Sequence, residues 1–221
     1  MVITALGSPR AVVDAVHAYG GLVFADVITP AFAKKVLDAG VDGLILVCTG
    51  AGGHFGPLAA PAFIAEVREF FDGPVILGGA VANGRAVRAY QTLGADLVYV
   101  GTSFIATSES LAPQAHKEMI VRAHAQDIVA SNAITGAWAN FLKESMQAAG
   151  FDATGAKPRV SLDASDPQGE AKAWKNIWSA GQASGQVRAI EPVTSVIDRL
   201  RREYAAVIRA EADDPWARKY R

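Results

Sequence analysis

The sequence has little cysteine, no excess of charge of either sign and no long apolar run. Cys48 is the single cysteine among 221 residues, which excludes a disulfide framework and a cysteine-rich metal site. The formal net charge is -1, so no basic surface for nucleic acid or an anionic membrane is expected. No stretch approaches the ~18 apolar residues of a membrane helix, and the start lacks the basic region of a signal peptide. We therefore expect a cytoplasmic protein whose partners are small molecules.

What the sequence does contain is a repeat of short apolar runs and amphipathic stretches. Apolar residues make up 51% of the chain, enough for a sizeable core. The runs predict five strands, at residues 2–6, 22–25, 44–47, 75–77 and 97–100. Between them, four helices are predicted at 9–19, 30–39, 61–71 and 83–93, each ending at or just before a glycine.

The predicted strands are apolar throughout and do not alternate with polar residues. Such strands are buried on both faces, which indicates a parallel sheet and the α/β class. A doubly wound sheet would show G-x-G-x-x-G after its first strand, whereas Gly7-Ser8-Pro9-Arg10 follows here. The short repeat instead favours the TIM (β/α)8 barrel type, whose chemistry lies on the loops after the strands.

A glycine pair and a glycine–threonine pair follow the last two predicted strands. Gly78-Gly79 leads to a helix start at residues 83–85, and Gly101-Thr102 follows the next strand. Such loops and a helix N-terminus let backbone N–H groups approach a phosphate. A single pair would be read as a tight turn, but two pairs after consecutive strands favour a phosphate site.

The loop after the third strand, residues 48–57, surrounds one histidine with four glycines. His54 has a side chain whose ordinary pKa of about 6.5 suits proton abstraction or anion binding near neutral pH. A loop histidine is otherwise bonded to a neighbouring carbonyl. Its place on the catalytic side of a barrel strand favours the functional interpretation.

Four segments of the chain resemble the nitronate monooxygenases, formerly called 2-nitropropane dioxygenases. They are Gly50-Ala51-Gly52-Gly53-His54-Phe55-Gly56, the segment 75–85, the segment 94–107, and the glycine-rich segment 179–185. Their order and spacing place the resemblance at the level of the flavin-dependent superfamily. It implies an FMN-binding barrel that oxidises alkyl nitronates, or nitroalkanes, with molecular oxygen.

The resemblance also implies a role for individual residues. His54 would be the catalytic residue, which deprotonates a nitroalkane or holds the anionic nitronate. The cofactor-binding residues would be Gly52 and Gly53 beside the isoalloxazine, and Gly78, Gly79, Gly101 and Thr102 towards the phosphate. No metal is expected, since the histidines lack carboxylate or cysteine neighbours at ligand spacing.

Some alternatives stay open at this point. An NAD(P)H-using flavin enoyl reductase of the related barrel type shares the glycine segments and a histidine, and a non-catalytic flavin- or phosphate-binding remnant is a third interpretation. Asp26, after the second strand, is either a flavin contact or a helix-capping or solvated loop residue. Cys48 either faces the flavin or is a small buried side chain.

The strand repeat stops before residue 110, and this sets the predicted domains. Residues 1–110 would form the five C-terminal βα strands of the barrel, 111–190 a helical lid or insertion, and 191–221 the final helix and tail. Because the phosphate loops follow strands seven and eight, the chain is expected to start before strand four, in an incomplete barrel. Its open edges would need covering by a partner chain, such as a homo-oligomer, or by a rearrangement.

Within the insertion, helices are predicted at residues 111–125, 135–149 and 171–178, with a linker at 151–169. The last helix, 192–212, would pack on the barrel. Trp174 and Trp178 are candidate wall residues of the flavin site, although core packing is the commoner role of tryptophan.

Overall fold

A computed structural model describes residues 1–152 and 177–215 of the chain. All five predicted strands are present: β1 (Val2–Thr4), β2 (Val23–Val27), β3 (Gly43–Val47), β5 (Val75–Gly78) and β6 (Leu97–Tyr99). They form one sheet in the order β1-β2-β3-β5-β6, with every neighbouring pair parallel. The parallel α/β architecture predicted from the apolar runs is confirmed.

Four helices connect these strands and cover the outer face of the sheet: α1 (Arg10–His17), α2 (Pro30–Leu37), α3 (Ala60–Arg68) and α4 (Gly84–Thr92). The starts of α2 and α4 are fixed by side-chain caps, because Thr29 accepts from Phe32 N at 3.2 Å and Asn83 accepts from Ala86 N at 2.8 Å. The main core lies between these helices and the outward side chains of the strands, such as Leu44.

The inner face of the sheet is only partly covered. Phe24, Ile45 and Ile76 pack together on it, but Leu97 at one edge is 60% exposed and Ile3 at the other is 42% exposed. A closed barrel covers this face on all sides. The sheet is thus five strands of an incomplete α/β barrel, with β1 and β6 as open edges.

Beyond β6 the chain forms a mixed layer of helices and strands, in which the helix predicted at 111–125 is present as α6 (Gln114–Arg122). The layer comprises α5 (Thr102–Ile105), α6, β7 (Ile128–Ser131), β8 (Ala139–Leu142) and α7 (Lys143–Ala148). The predicted helix over 135–149 is wrong in its first half, because β8 is buried along its whole length between β7 and the short strand β4 (Gly53–His54). An isolated apolar run of this length does not distinguish a buried strand from a helix.

The last helix, α8 (Val193–Ala212), packs against α4, as predicted for the final barrel helix. The two helices meet at Gly84, where a Cβ atom would lie 2.1 Å from the backbone nitrogen of Tyr204. None of the helices formed by the described residues could span a lipid bilayer. The predicted linker and the predicted helix at 171–178 lie largely outside the described residues, and Trp174 lies entirely outside them.

Candidate active site

A cavity of about 930 Å³ lies at the carboxyl ends of the five parallel strands. Each strand contributes to its wall through its last residues or the loop that follows. Among the residues predicted to form the site, it is lined by Gly52, His54, Gly78, Gly79, Gly101 and Thr102. Gly53 does not line it and instead takes a backbone φ of +69°, which turns the loop between Gly52 and His54. The cavity has the size of an ordinary cofactor site.

His54 is held by the antiparallel sheet and not by the barrel. Its strand β4 pairs with β8 through Gly53 opposite Asn140 and His54 opposite Ala139. Its Nε2 lies 3.1 Å from the Thr135 hydroxyl oxygen, and that hydroxyl donates to the Ala137 carbonyl at 3.1 Å.

The Thr135 contact suits one tautomer of the neutral ring. A threonine hydroxyl has one hydrogen, and here it is given to a carbonyl, which can only accept. The Thr135 oxygen therefore accepts the hydrogen bond from Nε2–H of His54. In the neutral imidazole this leaves the basic lone pair on Nδ1.

Asn140, on β8, is a buried residue of the site that the sequence analysis missed. Its side-chain amide donates to the carbonyl oxygens of Thr49 at 2.9 Å and Ala51 at 2.7 Å. These two bonds tie the start of the glycine-rich loop to the strand that pairs with His54. The separation of Asn140 from this loop in sequence left no motif by which it could have been found.

Replacing Asn140 by Ala should destabilise the site, because it leaves two part-buried carbonyl groups without their donor. We expect the free energy of unfolding to fall by about 2 kcal/mol. Urea denaturation followed by circular dichroism measures the change. The exposed Asn132 provides a matched control, since Asn132→Ala should change stability by less than ~0.5 kcal/mol. Equal stability of both variants would contradict the role of Asn140.

Close backbone approaches explain why the loops around the cavity are rich in glycine. A Cβ at Gly52 would lie 2.7 Å from the backbone nitrogen of Gly181, and a Cβ at Gly181 would lie 2.7 Å from the carbonyl of Gly50. The Gly50 carbonyl accepts from the backbone nitrogens of both Ala80 and Gln182, at 3.1 and 3.0 Å. The late glycine-rich segment is thus packed directly on the histidine loop.

The two glycine loops after β5 and β6 lie on the same cavity. Gly79 has a φ of +131° and Ala80 a φ of +53°, so the chain turns sharply where β5 ends. The space beside Gly101 is open, because no described atom lies within 4 Å of the position that its Cβ would take. Thr102 is fixed beside it, because its hydroxyl accepts from Gly181 N at 2.9 Å.

The N-terminus of α4, which was predicted to face a phosphate, points elsewhere. Residues 83–85 do not line the cavity. The Gly84 N–H donates to a carboxylate oxygen of Glu203 on α8 at 2.8 Å, and the Asn83 side chain holds the N–H of Ala86. The backbone N–H groups of Gly84 and Ala86, which were expected to face an anion, thus donate to Glu203 and Asn83 instead.

Asp26 lines the cavity and is neither a helix cap nor a solvated loop residue. It lies in β2, while Thr29 caps the following helix. Burial raises the pKa of the Asp26 carboxyl to about 6. Within the described part of the chain, its Oδ1 atom is buried and has no hydrogen-bond partner.

Cys48 and Trp178, two further candidates from the sequence, do not line the cavity. Cys48 is buried in the main core, where burial raises the pKa of its thiol to about 12, so it is a small buried side chain. Trp178 stacks on His116 at 5.2 Å between ring centroids and does not line the cavity. Trp138, which the sequence analysis did not select, lines the cavity and is 55% exposed.

Residues 1–152 and 177–215 contain no cluster of three potential metal ligands.

Comparison with known proteins places this geometry in a family. The sequence model of the family described as nitronate monooxygenase matches residues 1–203. A nitronate monooxygenase of Pseudomonas aeruginosa is 36% identical over 121 residues, which cover 51% of this chain and 34% of the relative. The chain spans between 30% and 58% of the length of curated relatives of this kind.

Two solved structures share the fold. FabK from Thermotoga maritima superposes with a TM-score of 0.80 at 24% identity, covering 96% of this chain and 70% of FabK. The nitroalkane oxidase of Streptomyces ansochromogenes gives a TM-score of 0.79 at 26% identity, covering 95% of this chain and 66% of that enzyme. The family match extends over nearly the whole chain and includes the histidine loop and both glycine loops. The chain belongs to the nitronate monooxygenase family of oxidoreductases.

Proposed function

We propose that this protein is an FMN-dependent nitronate monooxygenase, which oxidises alkyl nitronates or the parent nitroalkanes with molecular oxygen. The observation that carries the proposal is the convergence of His54 and the glycine loops after β3, β5 and β6 on one cavity. A relative named nitronate monooxygenase and a structural neighbour named nitroalkane oxidase support the same chemistry.

The residues around the cavity fit FMN. Its walls are largely apolar, as a flat isoalloxazine ring requires, and its volume of about 930 Å³ accommodates a cofactor together with a small substrate. Gly52 would leave room beside the ring, with Gly53 turning the loop behind it, while Gly78, Gly79, Gly101 and Thr102 would hold the ribityl phosphate. When bound, FMN supplies the redox chemistry, and the protein supplies orientation and charge.

His54 is the proposed catalytic base. A neutral imidazole can take the proton from the α-carbon of a nitroalkane, and the imidazolium that results stabilises the nitronate beside it. The Nε2–H bond to Thr135 restrains ring rotation, so the basic nitrogen keeps one direction. The same residue would bind a nitronate that enters as an anion.

We also propose that two parts of the chain contribute different parts of the site. Residues 1–110 would provide His54 and both cofactor loops, and residues 111–190 would form the lid over the flavin. The sheet of β7, β8 and β4 joins the two parts, because β4 belongs to the first and β8 to the second. Trp138 in the second part is the aromatic side chain placed to cover a flat ligand.

The first test is the cofactor content of the purified protein. We expect a yellow protein that contains about one FMN per chain, measured from the absorbance of flavin released by heat. Under anaerobic conditions, propionate 3-nitronate should bleach the bound flavin quickly, whereas NADH should not. Fast bleaching by NADH alone would favour an enoyl reductase, and a colourless protein that takes up no added FMN would contradict the proposal.

A further inference from the structure

Asp26 brings a buried carboxylate oxygen to the cavity without a hydrogen-bond donor for it. The side chain lines the cavity, and its Oδ1 atom is buried and has no partner within the described part of the chain. A buried acceptor that carries charge and lacks a donor costs free energy. Because buried polar groups of native proteins are nearly always satisfied, this atom indicates a donor that arrives with the ligand.

The wall around Asp26 supplies no cation in place of that donor. No lysine or arginine of the described residues lines the cavity, and the ends of the flanking strands β1 and β3 contribute apolar side chains such as Ala5 and Val47. Desolvation raises the pKa of the Asp26 carboxyl to about 6, so the group is ionised at pH 8. At that pH it is a charged acceptor that a ligand N–H or O–H group would stabilise.

Asp26 is separated from the loops that are proposed to hold the phosphate of FMN. It lies in β2, whereas those loops follow β5 and β6, two and three strands further along the sheet. With about 4.8 Å between neighbouring strands, the separations along the sheet are about 10 and 14 Å. The carboxylate and the phosphate are thus held apart, and a ribityl chain leading away from the phosphate would place the isoalloxazine towards Asp26.

The donors of FMN narrow the partner of this carboxylate. The oxidised isoalloxazine carries one N–H group, at N3 of its pyrimidine ring, and its remaining polar ring atoms only accept hydrogen bonds. The ribityl hydroxyls are the other donors, but they lie between the ring and the phosphate and so nearer the loop after β5. A carboxylate on β2 at the ring therefore has N3–H as its favourable partner.

We propose that Asp26 is a cofactor-binding residue whose carboxylate accepts a hydrogen bond from N3–H of the flavin and lowers the reduction potential of the ring. The inference rests on the proposed function and adds which edge of the ring faces β2. Uptake of two electrons and one proton, at N5, leaves a negative charge on the pyrimidine ring. The carboxylate disfavours this charge, whereas the oxidised ring that it binds is neutral. The nitronate remains the ligand of His54.

The hydrogen bond is tested with FMN and with N3-methyl FMN, in which a methyl group replaces the N3 hydrogen. In fluorescence titrations of the full chain at pH 8, the parent should bind FMN about tenfold more tightly than N3-methyl FMN, whereas Asp26→Ala should bind the two within about twofold of one another. Asp38→Ala is the matched control, since it removes an exposed carboxylate after α2 and should keep the preference of the parent. An undiminished preference in Asp26→Ala would overturn the N3–H contact.

The reduction potential is a second readout, and it does not depend on turnover. Asp26→Asn keeps the shape and an accepting oxygen but removes the charge, so it also covers the case in which Asp26→Ala does not fold. In an anaerobic dithionite titration against a reference dye at pH 8, its bound flavin should have a potential about 30 mV above that of the parent, which corresponds to a tenfold change in the two-electron equilibrium constant.

The phosphate of FMN is present in the parent and in the variant, so the difference in potential reports the Asp26 charge. Equal potentials with FMN bound to both proteins would overturn the role of Asp26 and leave the proposed function intact. A parent protein that binds no FMN would contradict both.

Discussion

Replacing His54 by Asn should lower kcat/KM for nitroethane by at least ~100-fold while FMN stays bound. The variant removes the only imidazole that lines the cavity among the described residues, and with it the base for the α-proton. A positioned general base contributes about 10²–10⁴-fold to a rate. Asparagine keeps a polar group close in size to the ring, so the packing of β4 on β8 should be maintained.

Stopped-flow reduction of the flavin under anaerobic conditions measures this effect directly. His17 provides the control, since it lies on α1 paired with Asp42 at 2.9 Å, outside the cavity, and His17→Asn should leave the rate unchanged. The loss should be smaller with ethylnitronate, which needs no deprotonation. An unchanged rate with nitroethane in the His54 variant would remove the proposed role of this residue.

The parallel sheet could be predicted from the sequence because its strands are apolar runs, and the three central strands β2, β3 and β5 are buried on both faces. Runs such as Leu44–Val47 contain no polar residue, and Gly40 or Gly94 ends the helix before the next run. Both signals are local, so a single sequence carries them. The five strands and four helices of the first part consequently appear within a few residues of their predicted bounds.

The support around His54 could not be predicted in this way, because it depends on residues distant in sequence. Thr135 lies 81 positions after His54, and Asn140 lies 91 positions after Thr49. Strand β8 is buried throughout and only four residues long, so its apolar pattern is compatible with a helix. The hydrogen bonding of the α4 N-terminus likewise depends on a distant residue, because the tertiary fold brings Glu203 to the Gly84 N–H.

Replacing Gly101 by Val should weaken FMN binding by at least ~100-fold without unfolding the protein. Gly101 has a φ of −114°, which other residues adopt freely, and no described atom lies within 4 Å of the position of its Cβ. The added side chain would therefore project into the cavity where the phosphate is proposed to lie. Loss of two charge-assisted hydrogen bonds to the phosphate, at about 1.5 kcal/mol each, accounts for this factor.

Comparison with Gly52 and with a surface site makes this prediction specific. Gly52→Val should lose both FMN and stability, because its Cβ would meet Gly181 N at 2.7 Å, whereas Gly101→Val should retain the free energy of unfolding to within ~0.5 kcal/mol. Ala11→Val, at an exposed position of α1, controls for the added β-branched side chain. Fluorescence titration with FMN and urea denaturation give the two readouts. A Gly101→Val protein that binds FMN as tightly as the parent would place the phosphate elsewhere in the cavity, since a group of that size cannot share the space with an isopropyl side chain.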